Sequence, residues 1–105
     1  MVERRQERRM QVDLTVRIAG RDIHGDHFAQ NAVASGISGG GALLSGISGK
    51  VRPGDLIWVE YQDRKARFRI VWASGSASEQ GNQAAVHRVE NEECPWAALL
   101  GKRDQ

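Results

Sequence analysis

Cysteine is all but missing. Cys94 stands alone, which excludes an internal disulfide framework and a cysteine-built zinc cluster. Long apolar runs are missing as well. No stretch approaches the roughly 20 residues that cross a bilayer as a helix, and the first residues lack the apolar core of a signal peptide. The expected location is the cytoplasm. Aromatics amount to 6% of the chain, few for laying base-stacking platforms along a groove, so no binding to DNA or RNA is expected. Excess charge is small, with a formal +2, and the pI of 9.1 overstates how basic the chain is. Its 105 residues give one domain of common size with one modest core.

The charge that is present is uneven. Arg4, Arg5, Arg8 and Arg9 face only Glu3 and Glu7 within the first ten residues, whereas the rest is nearly balanced. Residues 1–10 therefore read as a basic, flexible N-terminal arm and residues 11–105 as the folded domain. The arm has no Trp, Phe or Leu to bury in a membrane, so no insertion is expected. A guanidinium is a rigid planar fork that grips phosphate or a guanine edge with two hydrogen bonds and stacks on a base. Arg5 and Arg9 would stand roughly 13 Å apart on one side of an extended chain and about 6 Å apart on a helical turn. Either spacing can bracket a ligand with two phosphates and two bases.

Downstream the pattern is that of strands. Val12, Leu14, Val16 and Ile18 alternate with Asp13, Thr15 and Arg17, a half-buried strand facing inward on even numbers. Gly20 and residues 22–26 mark turns, His27 to Ala34 a second strand, and Ser35 to Gly41 a turn-rich loop. Gly41 to Leu44 restarts an apolar strand. The Pro53-Gly54 turn then leads into Leu56 to Tyr61. Gln62-Asp63-Arg64 reads as a hairpin connection into Ala66 to Ala73, and Gln83 to Val89 as a last strand. Pro95 to Leu100 offers a turn or two of helix with Trp96, Leu99 and Leu100 on one face. The expected fold is all-β: a small six-stranded antiparallel, split β-barrel with a short C-terminal helical turn, since closure removes exposed edges.

Several sharper readings fail on context. Gly36-x-Ser38-x-Gly40 matches the spacing of a nucleophile elbow, but glycines at 39, 40 and 41 oppose the helix an elbow requires. No catalysis is expected. Gly49-Lys50 lacks the distant glycine and the following Ser or Thr of a phosphate loop. His24, His27 and His87 are scattered without trusted ligand spacing, so no metal is expected. Trp58, Trp72 and Trp96 each fall in an apolar context and read as core or barrel-cap packing, Trp72 above all.

Taken together, Arg4-Arg5-Gln6-Glu7-Arg8-Arg9, then Gly36-Ile37-Ser38-Gly39-Gly40-Gly41, Ala42-Leu43-Leu44, Pro53-Gly54-Asp55 and Arg69-Ile70-Val71-Trp72 make the chain resemble the PilZ family. That family carries an RRxxxR or RxxxR motif ahead of its first barrel strand and a (D/N)xSxxG motif leading into a later one. The likeness runs from about Arg4 to Val89. It implies a non-catalytic bacterial receptor for the second messenger cyclic di-GMP that signals to a protein partner in motility, pilus or export regulation. Carried over position by position, it implies that Arg4, Arg5 and Arg9 of the arm and Ser38 and Gly41 of the turn hold the dinucleotide, with no cofactor. The departure is Gly36, where the family has Asp or Asn able to accept from guanine. Loss of one such contact costs about 1–3 kcal/mol. The alternative is a PilZ-like adaptor that has lost its ligand and acts through protein contacts.

Overall fold

A computed structural model of the protein describes residues 9–74 and 81–100. The alternation in the first strand sets its inward face. β1 (Met10–Arg21) buries Val16 and Ile18 and leaves Asp13, Thr15 and Arg17 outside. β2 (His27–Ile37), β3 (Gly41–Ile47), β4 (Leu56–Tyr61), β5 (Arg64–Ala73) and β6 (Asn82–Arg88) follow, and α1 (Ala97–Leu100) is a single helical turn. All pairings are antiparallel. They close the sheet into a barrel in the order β1-β2-β3-β6-β5-β4. The expected all-β barrel of six strands is the observed fold.

Inside lie Ile18, Ala34, Ile37, Leu44, Ile47, Val59, Phe68, Ile70 and Val86, with Trp96 seated among them from the C-terminal segment. The Trp96 and Phe68 rings are 5.5 Å apart and tilted by 34°, an arrangement that adds to their simple area burial. Trp96 thus closes one end of the barrel as a plug. A buried indole of this size is worth about 3–5 kcal/mol against alanine. Of the expected helical face only this residue is fully buried: Leu99 is exposed and Leu100 half-buried.

Three boundaries differ from the pattern reading. β1 begins at Met10, so the strand takes over the last residue assigned to the arm. β2 runs on through Ser35, Gly36 and Ile37, leaving residues 38–40 as the connection rather than a loop from Ser35. The reason is a bulge: the β1–β2 ladder slips between Met10 and Asp13, and Gly36 meets it with a φ of +54°, a backbone state glycine reaches without steric cost. Arg64 belongs to β5, because Gln62 and Asp63 alone form the hairpin turn, both at positive φ. Two such residues make the turn whose twist matches the flanking strands. Residues 1–8, which include Arg4 and Arg5, residues 75–80 and residues 101–105 lie outside the described set.

The C-terminal segment is tied back onto the barrel by Glu92. Its carboxylate accepts from the Arg67 amide at 2.9 Å and the Arg67 guanidinium at 3.1 Å. These contacts, the amide first and the guanidinium second, hold the Glu92 carboxyl below its ordinary pKa. A depressed folded-state pKa contributes stability that is complete above the unfolded glutamate value of about 4.3 and is lost as pH falls through the folded value. Acidification below about pH 4 is therefore expected to loosen the Glu92 tie, read as growing hydrogen exchange at the Arg67 amide. Glu92→Gln removes that pH dependence.

Gly41 is fixed by close approach. A Cβ there would collide with the Val86 carbonyl oxygen of the neighbouring strand and touch the His87 ring at 3.3 Å. Gly54, by contrast, has φ +97° and nothing within 4 Å of an added Cβ. Gly41→Ala is expected to cost about 3 kcal/mol through overpacking, and Gly54→Ala about 1–2 kcal/mol through backbone strain alone. A thermal melt checks this ordering, with a Tm at least about 10 °C lower for Gly41→Ala.

Candidate functional site

The connection between β2 and β3 is built on one serine. Ser38 is buried, and its Oγ accepts from the backbone N–H groups of Gly40 and Gly41, each at 3.2 Å. The Ser38 N–H donates to the Gly41 carbonyl at 2.9 Å. Its own carbonyl accepts from the Trp96 indole Nε1–H at 2.8 Å. A serine side chain that gathers backbone donors is a standard local substitute for a turn's missing hydrogen bonds. The glycine run is thereby held in one shape and pinned to the core plug.

Arg88, at the end of β6, clamps the same turn from the other side. Its N–H donates to the Gly40 carbonyl at 2.7 Å, and its guanidinium donates to the Gly39 carbonyl at 2.8 Å and the Glu92 carbonyl at 2.6 Å. Its charge meets carbonyl dipoles, and no ion pair neutralises it among the described residues. Arg9 comes in from the head of β1 and donates from its guanidinium to the Gly36 carbonyl at 2.5 Å.

These groups surround one cleft of about 530 Å³, lined by Arg9, Ser38, Gly40, Gly41, His87 and Arg88 over a base of Ala42, Ala85 and Val86. Two arginines and a histidine line it and no carboxylate does. Guanidinium charge with no carboxylate in the lining, above small side chains, makes a concavity suited to an anion. Its volume falls within the roughly 300–1,000 Å³ of small-molecule sites.

Of the residues singled out in the sequence, Arg9, Ser38 and Gly41 come together here; Arg4 and Arg5 lie outside the described residues. Arg88, and His87 in any role but the metal ligand set aside above, were missed. Nothing local marks them, since they reach the cleft only because β3 pairs with β6 in the register Gly41↔His87. The two outward tryptophans correct the core assignment. Trp58 is 43% and Trp72 48% exposed, whereas Trp96 is fully buried. Trp72 sits just past a bulge in β5 and pairs with Ala85, which itself lines the cleft.

No helix among the described residues is long and apolar enough to cross a membrane. Among models of known protein families and among curated proteins, the chain finds no match.

Ser38→Ala tests the architecture of the turn. It leaves the Gly40 and Gly41 N–H groups without their acceptor, at a cost of about 1–3 kcal/mol. Faster hydrogen exchange at those two amides, with little change at the Gln62-Asp63 turn, is the expected signature.

Proposed function

We propose that the cleft is a cyclic dinucleotide site and that the protein is a PilZ-like, non-catalytic receptor for cyclic di-GMP. The observation that carries this is the meeting, in one carboxylate-free cleft, of Arg9 from the RxxxR motif with Ser38 and Gly41 from the SxxG motif. Arg88 and His87 add donors that the motifs do not name. Arg9 and Arg88 are suited to the phosphates, as forked donors to paired oxygens. Trp72 offers an exposed ring beside Ala85 for a purine to stack on. Arg4 and Arg5 precede Arg9 by few residues, so an arm drawn in by ligand reaches the same cleft. The clamped dinucleotide is then what the protein signals to a protein partner.

A second reading has its own support. Ser38 and Gly41 each have a structural reason to be present, the turn's hydrogen bonds and the Val86 approach. The Arg9 guanidinium is already engaged by the Gly36 carbonyl. An adaptor that has lost its ligand would keep these features. Gly36 separates the two. Its φ of +54° is a state that Asp and Asn tolerate better than most residues, and an added Cβ would lie 3.2 Å from an Arg9 guanidinium nitrogen.

Calorimetry with cyclic di-GMP is the test. Saturable binding is expected, weakened about tenfold or more by Arg9→Ala, with Gly36→Asp altering affinity by a comparable factor because it places a carboxylate at the arginine. No heat for the native chain at millimolar ligand, together with none for Gly36→Asp, refutes the receptor reading and leaves the adaptor.

A further inference from the structure

A larger cleft than the first lies at the other end of β1. Arg9 and Arg21 are twelve residues apart on or beside one strand, roughly 35–40 Å by strand rise, so this second cleft is remote from the first. Its volume is about 790 Å³, and Trp58, Leu56 and Phe28 give it an apolar wall. It opens where the β1–β4 ladder stops, at Ala19↔Trp58. Beyond that pair, Gly20 and Arg21 on β1 and Leu56 on β4 line the gap.

The charges around it are part paired and part free: Arg52 pairs with Asp55 and Arg67 with Glu92, which leaves Arg21 and Lys65 as cations without an ion pair among the described residues. Arg21, Arg52, His24 and His27 line it, and Lys65 and Arg67 stand over the Trp58 ring at 5.2 and 5.8 Å from its centroid. The two carboxylates present are occupied. Asp22 accepts from the His24 and Asp26 amides at 2.9 and 3.0 Å, and Asp55 lies 3.9 Å from Arg52. Arg21 has no ion pair among the described residues. A half-exposed tryptophan ringed by arginines is the composition of an interface hot spot rather than of a solvated surface.

We infer that this cleft is a docking site for a partner protein's acidic segment carrying an aromatic or aliphatic anchor. The anchor packs against Trp58, Leu56 and Phe28, and flanking carboxylates pair with Arg21 and with Lys65 over the Trp58 ring. A nucleic-acid strand fits less well, because its closely spaced phosphates would meet Asp22 and Asp55, whereas a peptide can place its carboxylates around them. The guest is held by the side chains that line the cleft where the β1–β4 pairing ends. This site is independent of whether the first cleft binds a dinucleotide.

A random peptide library displayed on phage and panned against the full chain tests the inference. Enriched sequences are expected to be acidic around one large apolar residue. A synthetic peptide of that consensus should shift resonances across residues 19–28 and 52–58 and leave Gly40 and Gly41 unmoved. Trp58→Ala and Arg21→Glu should each weaken it about tenfold or more, while Trp58→Phe retains most of the affinity. Failure to enrich any sequence, a basic or neutral consensus, or affinity indifferent to both variants overturns the inference. So does a single-stranded oligothymidine that binds through the same residues more tightly than the peptide.

Discussion

One buried serine holds the business end of this barrel together. Ser38 takes two backbone amides on its hydroxyl and one indole N–H on its carbonyl. Without that side chain, two glycine N–H groups at the head of β3 have no partner in a place where water is largely excluded. Such a loss is comparable to a substantial share of a small domain's net stability of about 5–15 kcal/mol. The carbonyl contact extends the dependence to the core. Trp96 fills the barrel end only because its N–H finds an acceptor there, and a buried indole without one is costly. The turn, the plug and the C-terminal segment are consequently one cooperative unit. Arg88 spans the Gly39 and Glu92 carbonyls and adds a third link.

That unit bears on the proposed receptor. A guest that pulls on Arg88, or that displaces the Ser38 turn, would act on Trp96 and on residues 92–94 through direct hydrogen bonds. Such coupling would need no long pathway, since Arg88 and Trp96 bond adjacent carbonyls, Gly39 and Ser38, of one turn. The opposite end of β1 carries a cleft of different chemistry, apolar on one wall and bordered by the unpaired cations Arg21 and Lys65. If both proposals hold, the two guests occupy opposite ends of β1 and can bind at once.

Much of this was legible in the residues, and the reasons for the exceptions are specific. Val12 to Ile18 alternates without interruption, and β1 has its inward face as that pattern requires. The Gln62-Asp63-Arg64 connection is a hairpin turn as expected, one residue shorter because Arg64 pairs with Tyr61. Trp58 was misassigned because β4 is apolar on both faces: Ile57 and Val59 point in, and Leu56 and Trp58 point out. No period-two signal separates two such faces. Trp72 was misassigned because a bulge at Val71 shifts the parity of β5, and a continuous run of Ile, Val, Trp and Ala conceals a bulge. His87 and Arg88 could not be found from motif spacing, because only the β3–β6 register brings them beside Ser38. Arg9, Ser38 and Gly41 were found as a set because a family pattern joins residues that periodicity alone leaves unrelated.

The most direct measurement is a residue-resolved titration of the isotope-labelled full chain with cyclic di-GMP. It follows the Arg9 side-chain Nε–H together with the backbone amides of Gly40, Gly41 and Arg88. The account predicts that these signals move in concert and saturate at one ligand concentration, with Trp96 Nε1–H following and Arg21 unmoved. Signals that stay fixed at millimolar ligand, or shifts confined to residues away from the Ser38 turn, would contradict it.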